Sequence, residues 1–270
     1  MRQDRTGEGL LCGEVMTMSG PEPGGQDAER ETHVLRARIA RELIDAVRDL
    51  PAASVPEALC RVCVSLVPDV SGLSLSVLGP VEGTGVVLCA SDEVAAQLAE
   101  IQYTLGEGPG IDAARLRAPV FAADLTRAPD ARRWPLFSGQ AAKTGAKAVF
   151  SVPLEGAAGA LGTLDLYREA AGPLDDGHVR TALLVADALT LAVTALDHAS
   201  ADSGGVVTWL QGAESGREEI HQATGMLMVR LGVSAEEALV RLRARAFAQS
   251  STSLAIARAI ISGSMDIGHE

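Results

Sequence analysis

IHQATGMLMVRLGVSAEEALVRLRARAFAQSSTSLAIARAIIS, residues 220–262, carries three helical periods in succession. Ile220, Ala223, Leu227 and Leu231 recur at helical spacing, and Gly232 closes that run. Ser234 and Glu237 form a capping box in which each side chain meets a backbone N–H of the first helical turn. That box opens a second helix with Ala235, Ala238, Leu242 and Ala246 on one face. Ser250 to Ser253 offers N-caps for a third helix, Leu254 to Ile261, which Gly263 stops. Three short helices of roughly 40 residues bury little surface alone, so the module is expected to lean on what precedes it. Arg230, Arg241, Arg243, Arg245 and Arg258 face only Glu236 and Glu237, a local excess of +3 on a chain of net charge −12. A cationic module on an acidic chain is the electrostatic footprint of nucleic-acid binding, although exposed arginines also serve simply as solvated surface.

Ala223-Thr224-Gly225-Met226-Leu227-Met228, the Ser234-Glu237-Ala238 helix start, Leu242-Arg243, Ala246 and Ala257 together resemble the ANTAR domain. This is a three-helix RNA-binding module at the C-termini of bacterial transcription antiterminators. The resemblance implies recognition of small stem-loops in nascent transcripts. Thr224 stands where the family often has Lys, and Leu239 where it often has an aromatic ring. Candidate RNA contacts are Thr224, Gly225, Met228, Arg230, Arg241, Arg243 and Arg245. Gly225 has two readings: it lets RNA approach the helix closely, or it lets another helix pack there. A DNA-binding module or a protein-interaction module remains an alternative.

The remainder of the 270 residues has room for a real core. Apolar residues make up 47% and aromatics only 3%, so the core should be filled by Ala, Leu and Val. The sequence shows neither a membrane-length apolar run nor a signal-like N-terminal block, and the expected location is the cytoplasm. There, Cys12, Cys60, Cys63 and Cys89 should be reduced thiols. The CxxC spacing of Cys60 and Cys63 lacks the second pair that a zinc site needs, and both fall on a helix, so buried free thiols and no metal are expected. A redox enzyme or sensor using these cysteines is the competing reading.

Residues 1–36 mix Gly, Pro, Glu and Arg without period and read as a disordered tail. Leu35, Ile39, Leu43, Val47 and Leu50 then mark a helix, and Leu59, Val62 and Leu66 a second, opened at Ser54-Val55-Pro56. Strands are expected at Leu73–Val77, Val86–Cys89, Ala118–Ala122, Ala148–Leu154 and Leu161–Tyr167, where the period shortens to two. A short helix opens at Ser91, another covers Trp134 to Ala142, and a long one runs from about Leu174 to Leu196. The class is α+β, an antiparallel sheet flanked by helices on one side, followed by the all-α module. Gly106, Gly108 and Gly110 do not have phosphate-loop spacing; Pro109 removes a donor and Glu107 repels anions, so they read as a structural turn. No catalytic constellation stands out, and the protein is not expected to be an enzyme.

QYTLGEGPGIDA, APVFAADL, RWPLFSGQAAKTGAKAVFSVPL and LGTLDLYR, within residues 37–197, resemble actinobacterial-type GAF domains, which usually precede an ANTAR module. The resemblance implies sensing of a cyclic nucleotide, haem, tetrapyrrole or small metabolite, or dimerisation alone; it names no cofactor. Val179, Ala182, Ala186, Leu189, Val193 and Leu196 repeat at 3-4 spacing, as in a two-helix seam between subunits, although the same stripe could pack on the chain's own sheet. A homodimer is the expectation. Residues 198–216, with breaks at Ala199–Gly205 and Gly212–Gly216, read as a flexible linker to the 217–263 module and a short tail at 264–270.

Overall fold

Period-two alternation builds the centre of the molecule. In the computed structural model, five antiparallel strands lie in the order β2-β1-β5-β4-β3. They are β1 Gly72–Leu78, β2 Gly85–Ala90, β3 Val120–Ala122, β4 Ala148–Gly156 and β5 Gly159–Arg168. The structure describes residues 23–51, 54–78, 85–156, 159–202, 208–249 and 251–265, with side chains for all of these except 23–28, 85–86, 195–202 and 208–217. The expected turn at Gly79–Gly85 therefore lies largely outside the described residues, as do Cys12 and the 266–270 end.

Leu73 and Leu75 on β1, Leu164 and Leu166 on β5, and Phe150, Val152 and Leu154 on β4 point to one face. There they meet α1 Pro23–Val47, α2 Val55–Leu66 and α7 Asp176–Asp202. Val149 and Tyr167 point the other way, into a second core with α3 Glu93–Leu105, α4 Pro109–Leu116 and α6 Pro135–Ala141; the one-turn α5 Asp130–Arg133 precedes α6. Helices thus cover both faces of the sheet rather than one. Two further expectations are corrected here: α1 begins at Pro23, inside the stretch read as a tail, and α4 rises where only a glycine turn was expected.

The stripe expected to form a subunit seam is instead interior. Ala182, Ala186 and Leu189 are in the first core, Val179 packs against it, and Val193 is buried. The Leu196 side chain lies outside the described residues. Two alanines at the contact let α7 approach β4 closely, so the sheet occupies the stripe. The outward side of α7 carries Leu183 and Leu191, the latter 72% exposed; α1 exposes Val34 and Ile44, and an Arg36–Asp187 ion pair at 3.6 Å links the two helices.

The C-terminal module is α8 Thr208–Leu231, α9 Ala235–Ala248 and α10 Ser253–Ile261. Ala223, Leu227, Leu242, Ala246, Ile256 and Ile260 form its core. Ser234 Oγ accepts from the Glu237 N–H, the cap read from the sequence, and Thr252 Oγ1 accepts from the Ala255 N–H, which selects one of the candidates between Ser250 and Ser253. Of the expected linker breaks, the second needs correction and the first begins later than expected. α7 continues through Ala199 to Asp202, residues 203–207 lie outside the described residues, and α8 runs unbroken through Gly212 and Gly216 and lies against β2. A helical glycine costs only about 1 kcal/mol, too little to end a helix on its own. The module also touches the sheet domain through α3 and α9.

The burial of Leu189 generates a test. Leu189→Glu should lower stability to urea by about 3 kcal/mol or more, because an unpaired charge enters a closed core. Leu191→Glu should change it by about 0.5 kcal/mol or less. A Leu189→Glu protein that stays as stable as wild type but becomes monomeric would restore the seam.

Candidate functional site

The face of the sheet beneath α3 and α4 is polar where an ordinary core would be apolar. Ser74 on β1 and Ser151 on β4 flank Asp165 on β5 in register, and Ser76 lies opposite Thr163 one pair further on. All five are buried. Their outward neighbours along each strand are the leucines and valines of the other face, so alternation alone forces these polar groups together.

Gln102 of α3 organises the cluster. Its Nε2 donates to Asp165 Oδ2 at 3.1 Å, and its Oε1 accepts from the Gly110 N–H at 2.6 Å. Thr163 Oγ1 donates to the same carboxylate oxygen at 3.4 Å. Burial pushes the Asp165 carboxyl up to about 6, against the opposing pull of Ser151, Gln102 and Thr163. Ser151 Oγ lies close enough to act on that carboxyl without hydrogen-bond geometry. Asp165 Oδ1 and Ser76 Oγ have no hydrogen-bond partner among the described residues. Orphaned buried acceptors each cost about 1–3 kcal/mol and mark a place where a small polar ligand is welcome.

The glycine turn serves this cluster. A Cβ on Gly108 would stand 2.6 Å from Gln102 Oε1, and one on Gly110 2.8 Å from both Asp165 oxygens. Only glycine lets the start of α4 come this close. Glu107 is turned away and accepts from the Leu136 and Phe137 N–H groups, holding the start of α6. The sequence showed the turn but not its target, since Gln102 and Asp165 are 63 residues apart.

On the C-terminal module the seven candidate RNA contacts divide. Gly225 is open: a Cβ there would meet nothing within 4 Å. Met228 is exposed on the same side, and Val229 beside it is 88% exposed. Arg230 is exposed but five positions past Gly225, about 140° around the helix. Arg241 is tied to Glu237 at 2.6 Å. Three candidates are less open than the sequence implied. Thr224 is buried, its hydroxyl donating to Ile220 O at 2.7 Å within its own helix. Arg245 Nε is buried without a hydrogen-bond partner, because its side of α9 faces inward. Arg243 turns toward the sheet domain, where a Cβ on Gly106 would lie 2.9 Å from its Nη1; burial lowers its pKa while neighbouring Tyr103 opposes the shift. Leu239 is buried too, so the ring common in the family would not stand in the open here. Phe247, 42% exposed and the lone aromatic residue between 220 and 262, was missed by sequence reasoning.

The two domains meet at a buried polar joint. The Ser253 N–H reaches Thr104 Oγ1 at 3.3 Å, and the two hydroxyls lie 3.4 Å apart. Thr104 in turn donates to Glu100 Oε1 at 3.3 Å. Burial raises the Glu100 pKa, opposed by hydrogen bonds from Thr104 and the Ser253 backbone. Beside the joint is a cleft of about 400 Å³ walled by Glu100, Ile101, Leu105 and Lys143 on one side and Phe247 and Thr252 on the other.

The cysteines depart from the reduced-thiol expectation. Cys60 of α2 lies over Cys89 of β2 and forms a disulfide with it, while Cys63 stays free, its thiol pushed up to about 12 by burial. All three are in the core on the side of the sheet opposite Asp165. Among the described residues no group of three or more His, Cys, Asp or Glu is placed to hold a metal, and no helix is long and apolar enough to cross a membrane.

The family model for the GAF domain matches residues 52–194, and that for the ANTAR domain residues 209–261. No curated protein matches the chain. Among solved structures, the GAF domain of a phosphoenolpyruvate-protein phosphotransferase from Coxiella burnetii is similar, with 16% identity and a TM-score of 0.46 over 62% of this chain and 98% of that one. The corresponding Acinetobacter domain gives 9% identity and 0.45 over 62% and 95%. A type II free methionine-R-sulfoxide reductase from Thermoplasma acidophilum gives 16% and 0.40 over 53% and 92%.

The raised Asp165 pKa has a signed consequence. A carboxyl protonated more readily in the fold than in the unfolded chain contributes stability present below about pH 4 and lost as the pH rises through about 6. Two pKa units correspond to about 3 kcal/mol. Asp165→Asn should therefore be more stable than wild type at pH 7, with the gap closing toward pH 4 in urea unfolding. A gap independent of pH would contradict the assignment.

Proposed function

Since this chain belongs to the GAF domain family and carries an ANTAR domain behind it, we propose that it is a sensor-regulated, RNA-binding transcription antitermination regulator. The GAF domain takes a small polar molecule over the Asp165–Gln102–Thr163 cluster, where Asp165 presents an unpaired oxygen to a hydrogen-bond donor. The ANTAR domain binds stem-loops in nascent RNA and keeps a terminator hairpin from forming, in the cytoplasm.

The observation that carries the RNA reading is Gly225. A mid-helix glycine costs about 1 kcal/mol relative to alanine, and here no internal packing offsets that cost, because a Cβ would meet nothing. An open, side-chain-free patch beside exposed Met228 suits close approach by a loop base or backbone. We place the homodimer that the GAF family implies on the outward sides of α1 and α7, where Val34, Ile44, Leu183 and Leu191 are exposed, since the inner stripe is filled. Sedimentation of Leu183→Glu with Leu191→Glu as a monomer, against a wild-type dimer, reads this directly. Cysteine-based redox catalysis is disfavoured, because the three described cysteines lie buried on the far side of the sheet from the polar cluster.

Gel-shift with a pool of stem-loop RNAs tests the reading. Gly225→Ala should raise helix stability by up to about 1 kcal/mol yet weaken RNA binding, and Gly225→Leu should weaken it by about tenfold or more through steric exclusion. The log–log salt slope should be about −2 to −3, reflecting few phosphate contacts. RNA binding unchanged in Gly225→Leu would remove the patch from the interface, and no binding to any pool would remove the function.

A further inference from the structure

Helix α3 has one side in each domain. Inward, Gln102 spans Asp165 and Gly110. Outward, Glu100, Thr104 and the α3 C-cap Gly106 meet the ANTAR domain. Two helix ends of opposite polarity face the opposite domain there. The N–H of Ser253, the first residue of α10, where free N–H groups make the helix end positive, donates to Thr104 Oγ1, which in turn donates to the Glu100 carboxylate. Arg243 of α9 lies against Gly106, the left-handed residue that ends α3, where the last carbonyls make that end negative. Between these contacts, Thr104 and Ser253 pair in a buried position.

Arg243 belongs to a stripe. Val240, Arg243 and Phe247 follow one another at helical spacing along α9, a cation between a valine and a ring that are both exposed. A guanidinium with a neighbouring aromatic is the chemistry that holds an unstacked RNA base and its phosphate. In the docked arrangement the guanidinium is turned into α3, and the ring lines the cleft facing it.

Resting on the RNA-binding reading above, we propose that GAF helix α3 and RNA compete for the Val240–Arg243–Phe247 side of the ANTAR domain. The sensor domain holds the module docked through Glu100, Thr104 and Gly106, and RNA gains the α9 stripe only when α3 lets go. Gly225 and Met228 stay open in the docked state, so docking weakens RNA binding without abolishing it. Because Gln102 sits on the inward side of the same helix, a ligand that recruits Asp165 shifts α3 and thereby the joint.

The full chain is titrated with a pool of stem-loop RNAs of randomised loop sequence at fixed salt. Thr104→Val with Ser253→Ala releases the joint without changing the charge or altering any proposed RNA contact, and should bind about five- to tenfold more tightly than wild type. Thr104→Cys with Ser253→Cys, whose side chains replace hydroxyls 3.4 Å apart, should cross-link when oxidised and bind about tenfold more weakly, recovering with a dithiol. Wild type treated identically controls for the Cys60–Cys89 bridge. In the released background, Arg243→Ala should cost more affinity than in wild type, where the residue is already withheld. Equal affinity in wild type, released and cross-linked proteins overturns the competition and leaves the RNA reading standing. No RNA binding by any of them, the released protein included, overturns both.

Discussion

A single side-chain amide ties α3 to the polar face of the sheet: Gln102 donates to the buried Asp165 carboxyl and accepts from the Gly110 backbone. The contact ties three elements that sequence keeps apart, namely α3, the start of α4 and the middle of β5. It also explains the glycines at 108 and 110, which leave room for the amide and the carboxyl to lie against backbone. The polar joint that the GAF domain presents to the ANTAR domain, Glu100 and Thr104, is carried on the opposite side of this helix. The position of Gln102 therefore sets both the shape of the polar cluster and the geometry of the joint.

The joint is small and polar, which suits a contact made to be broken. Buried hydroxyl pairs and charge–helix-end contacts each contribute little net stability, because water offers comparable partners in the open state. An apolar interface of the same size would hold more firmly and respond less. The ANTAR core of Ala223, Leu227, Leu242 and Ile256 closes on itself, so release of α3 does not require the module to unfold.

Much of this architecture was legible from period and capping. The alternation of β1, β4 and β5 and the cap at Ser234 follow from local chemistry and stand where the sequence put them, while the structure picks Thr252 from the candidate caps between Ser250 and Ser253. The α7 stripe was also legible as a buried face, but periodicity reports that a face is covered and not by what; two alanines admitted the chain's own β4. The Cys60–Cys89 pairing escaped because its partners are separated by 29 residues and by a change from helix to strand. Asp165 and Gln102 escaped for the same reason: each looks unremarkable on its own element, and only the register of β1, β5 and β4 brings the polar groups together. The arginines were legible as a charge excess, yet the direction of each was decided by tertiary contacts, which turned Arg243 toward α3 and Arg245 inward.

The coupling through α3 is tested most directly by amide hydrogen exchange at the first turn of α10 in the full chain, comparing wild type with Gln102→Ala. Gln102 makes its hydrogen bonds inside the GAF domain, to Asp165 and Gly110, so any effect at Ser253 has to travel through the helix. Faster exchange of the Ser253 amide in Gln102→Ala, with the interior of α9 unchanged, is the result that the account predicts. Exchange at Ser253 identical in the two proteins would show that α3 does not connect the polar cluster to the ANTAR domain.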